Sequence, residues 1–457
     1  MDFFDIALTL LMFELVFNKY ISQKVFTISL ILSVIVSVTQ IIIVGYKWQY
    51  MPFYLMIFLY SLKESLNIKL NNKFLKTITF VLVFTVFIFT SALIYFFPIP
   101  TFTPTNKNYS VGYKELYLNI ESRPSPKVFN EISTLENNTS RELMVDIYYP
   151  SDEKTKPIQL VRSSVGNWGE SVIKYLNRTW GINIPTFLLN HLTLSYFDVG
   201  VDITPASLKA PLVVYSHGWA GEKIFAADQL INIASQGYVV VSIDHTGLAM
   251  FTELPSGTVI NTGSTEDSSD IYQVMYEMSK DVEDTLTILF DSTDDQVLLN
   301  LFQQVVDKDN VTLMGHSTGG ASSVIYCQTH NCKKLILQDP YLLPVLLKDG
   351  DIAITTPAYF IYSEDWYSGY EDSEYTPEIK IYRDYIKSSS DIFGYYLSES
   401  AHYDFVAFGS ISPLTSYTFL KGSINYIDSL NINNYFNAAA LQNKMIETSQ
   451  YLKEIEK

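Results

Sequence analysis

From Ala210 onward the chain repeats one pattern, and that pattern leaves few folds open to it. Leu212-Val213-Val214-Tyr215, Tyr238-Val239-Val240-Val241-Ser242-Ile243, Val311 to Met314, Lys334-Leu335-Ile336-Leu337 and Ala358-Tyr359-Phe360-Ile361-Tyr362 are short apolar runs separated by helix-length stretches. A strand with one wet face alternates apolar and polar residues, whereas a continuous run means burial on both faces. The expectation is an α/β domain with a mostly parallel central sheet and helices on both faces. Such a sheet binds its ligands outside the carboxyl ends of its strands. The turns Ser216-His217-Gly218, Asp244-His245, Gly315-His316-Ser317 and Gln338-Asp339-Pro340 are therefore the places to look for chemistry.

The turn after Val311 to Met314, Gly315-His316-Ser317-Thr318-Gly319-Gly320, has the G-x-S-x-G spacing of a nucleophile elbow. A tight strand-to-helix turn strains the serine backbone, and side chains two residues before or after it would collide with neighbouring backbone. Glycine at both flanks removes the collision. Ser317 Oγ then stands at a helix N-terminus, where NH groups and the helix dipole favour a developing oxyanion.

A serine nucleophile needs a base, a carboxylate to orient the base, and NH donors for the oxyanion. In α/β hydrolases the chain order is Ser, then Asp or Glu, then His. Only His330 and His402 follow Ser317. His330 falls at the expected end of the nucleophile helix, where an imidazole serves the helix dipole. His402, in Glu399-Ser400-Ala401-His402-Tyr403-Asp404-Phe405, is the expected general base. Two carboxylate positions compete for the third role: Asp339 after one apolar run, and Glu364 with Asp365 after the next. Periodicity does not choose between them. Upstream, Leu212 to Tyr215 leads into Ser216-His217-Gly218-Trp219-Ala220-Gly221. Glycine there lets the backbone bend toward the nucleophile, so the NH of Trp219 can join that of Thr318 in an oxyanion hole. His217, His245 and His316 adjoin these turns and are read as loop-holding partners. No His or acid cluster has metal-ligand spacing and no glycine-rich phosphate loop occurs, so no metal and no cofactor is expected.

Residues 1 to 98 obey a different rule. Val25 to Tyr46 and Ile78 to Phe97 are each close to the roughly 20 apolar residues that cross a bilayer. Phe3 to Phe17, which contains Asp5 and Glu14, and Trp48 to Leu62 are weaker candidates, making about four transmembrane helices. Lys19 and Lys24 lie between the first two segments; Lys63, Lys69, Lys73 and Lys76 lie between the last two. Both loops are expected in the cytoplasm, so the chain after Phe97 emerges on the outer, non-cytoplasmic face. Loss of the third segment would separate the two lysine groups across the membrane. An acidic start followed by several apolar segments argues against a cleaved signal peptide. After Pro98-Ile99-Pro100, Ser110 to Leu118 begins the outer domain, Glu142 to Pro150 reads as a half-buried strand, and residues 151 to 207 suit a cap more than a sheet.

Charge is divided in the same way. Residues 1 to 98 hold seven Lys against four acids, a net of +3, so the remainder carries -17 minus +3, which is -20. An acidic body this strong offers nothing to neutralise phosphates, and nucleic acid is not an expected partner. The two cysteines, Cys327 and Cys332, are too few for a disulfide framework or zinc site. A local disulfide and two free thiols both remain open.

With these residues in place, the sequence resembles the platelet-activating factor acetylhydrolase family, the plasma and intracellular type-II phospholipases of the α/β-hydrolase fold. The matching pieces are Pro104 to Tyr113, Arg141 to Pro150 (RELMVDIYYP), Tyr215 to Gly221 (YSHGWAG), Ser235 to Gly247 (SQGYVVVSIDHTG), Gly315 to Gly320 (GHSTGG) and Ala401 to Phe405 (AHYDF). The resemblance implies Ser317 as nucleophile, His402 as base, Asp339 as acid, and Trp219 and Thr318 as oxyanion donors. It also implies calcium-independent cleavage of the short or oxidised sn-2 acyl ester of glycerophospholipids. Leu160 to Ala206 does not match, and acyl-chain selectivity would be set there. The membrane segments are absent from the secreted members. The expected architecture is an α/β-hydrolase domain over residues 99–457, with a cap around 151–207, preceded by a bundle of transmembrane helices over 1–98. Its expected partners are a glycerophospholipid or acyl-ester substrate and the bilayer. A general carboxylesterase or lipase on the same triad, and an inactive hydrolase fold used for binding, are the competing readings.

Overall fold

The computed structural model describes residues 3–68, 72–105, 107–136, 139–159, 168–181, 183–263, 270–291, 295–349, 354–368, 391–413 and 424–455. Its N-terminal part consists of α1 (Phe3–Val16), α2 (Gln23–Ile43), α3 (Met51–Ser65) and α4 (Lys73–Phe96). Mean hydropathy reaches 2.4 in both α2 and α4, and these two helices are long and apolar enough to cross a membrane. With 14 and 15 residues, α1 and α3 are shorter than that. Leu8, Met12, Phe26, Phe53 and Phe87 form a small core between the helices, while Leu10, Ile35, Phe58, Leu82 and Phe89 are exposed. Helices apolar on all sides need an apolar environment outside as well as a partner inside. Of the two acids of α1, Asp5 is buried and pairs with Lys47 at 3.0 Å, while Glu14 stays exposed and accepts a hydrogen bond from Ser29 Oγ.

Between the helices and the main sheet runs α5 (Trp168–Trp180), then a 3-10 segment, Thr186–Leu194. Residues 160–167 and 182 of the expected cap lie outside the described set. Val172 of α5 packs with Phe225, Met250, Phe251 and Val406. The 3-10 segment meets the α2–α3 loop: Trp48 Nε1 donates to His191 Nδ1 at 3.4 Å, and the Trp48 ring contacts Phe187 at 5.5 Å. Phe97, at the end of the helical region, contacts His191 at 5.9 Å.

One mixed sheet of ten strands dominates the rest. In chain order these are β1 (Ser110–Pro124), β2 (Ser140–Ser151), β3 (Gly200–Val201), β4 (Ala210–Ser216), β5 (Val239–Asp244), β6 (Val306–His316), β7 (Lys334–Gln338), β8 (Ala358–Ser363), β9 (Ile392–Leu397) and β10 (Leu452–Glu454). Their spatial order is β10-β9-β8-β7-β6-β4-β5-β2-β1-β3. From β9 to β5 every neighbouring pair is parallel, whereas β10 and β2 run antiparallel to their inner neighbours. Parallel neighbours need crossover connections, and these place helices over both faces. Accordingly Leu212 and Val214 of β4 enter one core while Val213 and Tyr215 enter the other. On the first face sit α7 (Ile271–Asp291) and α8 (Thr318–Thr329), through Val282, Leu286 and Val324. On the second sit α6 (Ala227–Ser235) and α9 (Tyr426–Leu441), through Leu230, Ile231 and Phe436.

Each of the five apolar runs became a parallel strand. The segment Glu142 to Pro150 differs from its reading as half-buried: from Leu143 to Ser151 every residue of β2 is buried. It lies inside the sheet between β5 and β1, and its polar residues find buried partners. Asp146 accepts from Tyr113 Oη at 2.7 Å and Lys223 Nζ at 2.8 Å. Cys327 and Cys332 form a disulfide at the end of α8.

Candidate active site

Ser317 sits between β6 and α8 with φ 55° and ψ −123°, the strained conformation that the elbow spacing demands. A Cβ on Gly315 would lie 2.3 Å from Gly319 O, and one on Gly319 would lie 2.1 Å from Ser216 O. Nothing larger than glycine fits either position. Ser317 is half-buried, and its Oγ has no hydrogen-bond partner among the described residues. The backbone is held from beside it, with Ser317 N donating to Gln338 O at 3.0 Å.

Asp339 follows β7 with φ 42° and is fully buried. Its Oδ1 accepts from Ser363 N at 2.7 Å, and its Oδ2 accepts from Ser363 Oγ at 2.6 Å. The same Oδ2 lies 3.1 Å from His402 Nδ1. Burial pushes the Asp339 carboxyl up to about 7, against the two Ser363 donors, which favour its ionised form. Glu364 and Asp365, the competing carboxylates, do not meet the ring. Glu364 Oε2 accepts from Glu399 N at 2.5 Å, and Asp365 N donates to Ser400 O at 3.2 Å. Asp365 acts on His402 only through its charge.

His402 opens a single 3-10 turn, closed by Asp404 Oδ2 accepting from Ala401 N at 2.7 Å. Its ring stacks on Trp366 with centroids 4.4 Å apart and meets His316 at a tilt, with centroids 4.5 Å apart. The side chain is 19% exposed, so solvent or substrate reaches one edge. Burial draws the imidazolium down to about 4, opposed by the Asp365 charge, so the neutral base is favoured. His316 Nε2 donates to His402 O at 2.9 Å. This residue, adjacent to the serine, thus carries the backbone of the histidine.

Beyond β4, Gly221 N donates to Gly218 O at 2.8 Å, closing a tight turn against the elbow. A Cβ on Gly218 would lie 2.8 Å from Ser317 Cβ. The main-chain NH groups of Trp219 and Thr318 have no acceptor among the described residues. The Trp219 indole is occupied elsewhere, donating to Gly263 O at 3.3 Å. His330 caps the end of α8, stacking on Tyr326 at 4.1 Å. The described residues hold no group of three or more His, Cys, Asp or Glu placed to bind a metal ion.

The fold brings Ser317, Asp339, His402, Trp219 and Thr318 to the side of the sheet where β4, β6, β7 and β9 have their carboxyl ends. Sequence reasoning missed Ser363 and Trp366, which hold Asp339 and His402. Their signal was their place: both follow the apolar run Ala358 to Tyr362 at its carboxyl end, where only the two carboxylates were weighed. Chemically the arrangement offers a hydroxyl on a strained turn, an imidazole tied to a buried carboxylate, and two free NH donors.

Comparison with known proteins places these residues in a family. Residues 106–253 and 266–453 match the family model described as platelet-activating factor acetylhydrolase, isoform II. A platelet-activating factor acetylhydrolase of Cavia porcellus is 24% identical over 255 residues, 50% of this chain and 56% of that protein. One of Canis lupus familiaris is 24% identical over 262 residues, with the same coverage of 50% and 56%. The chain thus spans about half the length of the curated relatives it matches. A ferulic acid esterase from Streptomyces cinnamoneus superposes with a TM-score of 0.59 at 20% identity, over 79% of this chain and 100% of that one. That likeness speaks for a shared α/β fold.

Proposed function

Because the chain belongs to the platelet-activating factor acetylhydrolase, isoform II, family, we propose that it is a membrane-anchored serine esterase. Its substrate would be a glycerophospholipid with a short or oxidised sn-2 acyl chain. The contact that carries this reading is His402 Nδ1 to Asp339 Oδ2 at 3.1 Å, beside a serine at φ 55°.

In the proposed reaction Ser317 Oγ attacks the ester carbonyl carbon while His402 Nε2 takes the hydroxyl proton. Asp339 keeps the ring in the tautomer that leaves Nε2 free and stabilises the imidazolium that forms. The carbonyl oxygen becomes an oxyanion held by the NH groups of Trp219 and Thr318. Collapse breaks the ester C–O bond, and the proton on His402 passes to the departing lysophospholipid oxygen. Water, deprotonated by His402, then attacks the acyl-enzyme and releases the carboxylate. No step calls for a metal.

Residues 1–98 act as the anchor, with the catalytic domain of 99–457 on the non-cytoplasmic side and residues 151–207 as a cap. Two apolar helices, the lysines of the loops and the cap's contact with Trp48 support this arrangement. The Cys327–Cys332 disulfide suits an oxidising compartment. Purified wild type and Ser317→Ala, assayed on phospholipids of graded sn-2 length beside simple acyl esters, test the reading. Preference for short sn-2 chains, absent in Ser317→Ala, is the expected result. Indifference to the phospholipid head group would make the protein a general carboxylesterase, and no fluorophosphonate labelling of Ser317 would make it an inactive hydrolase fold.

A further inference from the structure

A largely buried polar chain runs up to the turn that carries Trp219, and none of its members belongs to the triad. Asp281 of α7 accepts from Arg141 Nε and Arg123 Nη1, each at 2.9 Å, from Arg141 Nη2 at 2.6 Å and from His245 Nδ1 at 2.9 Å. Arg141, Asp281 and His245 side chains have no exposed surface. Replacing a buried ion pair by apolar residues is often neutral or stabilising, so stability alone is a weak reason to keep this one.

Its geometry offers another reason. His245 N donates to His217 Nε2 at 3.1 Å, which makes that nitrogen an acceptor and assigns the ring proton to Nδ1. His217 Nδ1 then donates to Gly218 O at 2.7 Å. In a trans peptide the C=O and the following N–H point in opposite directions, and the chain has no cis peptide bond among the described residues. Holding Gly218 O against His217 therefore aims the Trp219 NH away from that ring. The nucleophile lies against the same turn, since a Cβ on Gly218 would stand 2.8 Å from Ser317 Cβ.

We propose that Asp281, His245 and His217 form a positioning relay for the oxyanion hole: they lock the Gly218–Trp219 peptide so that its NH faces the charge developing beside Ser317. Arg141 and Arg123 keep Asp281 ionised and in place. The relay touches no substrate. It works by removing the alternative in which the peptide rotates and the oxyanion meets a carbonyl instead of an NH.

This inference rests on the serine-esterase reading, so the experiment separates the two. Full-length protein in detergent is assayed with p-nitrophenyl acetate, and persistence of that activity in Ser317→Ala would sink the esterase reading by itself. Given Ser317-dependent turnover, two substitutions divide the roles of the His217 ring. In His217→Asn the amide nitrogen stands near the place of Nδ1 and can still hold Gly218 O. In His217→Gln the amide reaches toward the place of Nε2 and leaves Gly218 O held by the Gly221 NH alone.

His217→Gln is expected to lower kcat about 100-fold, the order seen when one oxyanion donor is lost, with KM within about threefold of wild type. Affinity for a trifluoromethyl ketone, whose hemiketal oxyanion fills the hole, falls by a similar factor. His217→Asn is expected to stay within about tenfold of wild type in both measurements. Equal losses in the two variants, a KM effect in place of a kcat effect, or unchanged ketone affinity in His217→Gln would overturn the relay. Failure of both variants to fold would also overturn it, because His217 would then be a folding element only.

Discussion

Trp366 and His402 lie face to face, with ring centroids 4.4 Å apart and planes 16° from parallel. The indole covers one face of the histidine and His316 packs against the same ring at a tilt of 36°, so the ring can pivot little about its bond to Asp339. An aromatic pair of this kind contributes about 0.5–1.5 kcal/mol beyond burial. Trp366→Leu is expected to lower kcat/KM on a simple ester about three- to tenfold, the kinetic equivalent of that energy. Steady-state kinetics check this, and an unchanged kcat/KM would remove Trp366 from the positioning of the base.

The pH profile follows from the burial of His402 and of Asp339. Turnover needs an unprotonated Nε2, and burial draws the imidazolium down to about 4, below the ordinary 6.5. His402 should therefore stay neutral as pH falls through 6.5, and the acid limb of kcat/KM reports protonation of Asp339, which burial pushes up to about 7. The Asp365 charge pulls both groups upward, so Asp365→Asn should move the acid limb of kcat/KM lower. An acid limb near 4 would mean instead that Asp339 stays ionised well below 7 and that His402 alone sets the limb.

Three carboxylates near the base should respond differently to loss of charge. Asp339→Asn is expected to drop kcat by roughly 10⁴-fold through the wrong histidine tautomer, while its fold is retained. Asp365→Asn and Glu364→Gln, which do not touch the ring, should each cost less than about tenfold. Comparable losses at all three positions would assign the orienting role to the group as a whole.

Gly319→Ala places a Cβ 2.1 Å from Ser216 O and 2.5 Å from His217 O, both backbone atoms that cannot step aside. Overpacking of this kind costs about 1–3 kcal/mol or more. The expected outcome is a lower unfolding midpoint together with loss of fluorophosphonate labelling at Ser317. A variant that labels at the wild-type rate would show that the elbow tolerates more space than its geometry implies.

Protease added to intact cells should reach the domain after Pro98, since the lysine-rich loops of the helical region are expected on the cytoplasmic side. Complete protection of residues 99–457 would reverse the proposed orientation.

Much of this protein was legible in its residues. The five apolar runs determined parallel strands, because burial on both faces tolerates no polar alternation. Gly315 and Gly319 determined where a strained serine could stand, since any Cβ there would overlap backbone. Late position in the chain singled out His402. Other features were settled only by tertiary contacts. Glu142 to Pro150 was read as half-wet because its residues alternate, yet Asp146 within it is buried on a partner far away in the chain, Lys223, as its neighbour Arg141 is on Asp281. Asp339 and the pair Glu364–Asp365 each follow a strand, and local sequence treats them alike. What divides them is the packing of the 399–405 turn across β7 and β8, which leaves Asp339 Oδ2 3.1 Å from His402 Nδ1 and sends Glu364 to the backbone of Glu399. A hydrogen bond between residues 63 positions apart depends on how three elements dock, and no window of local sequence contains that information.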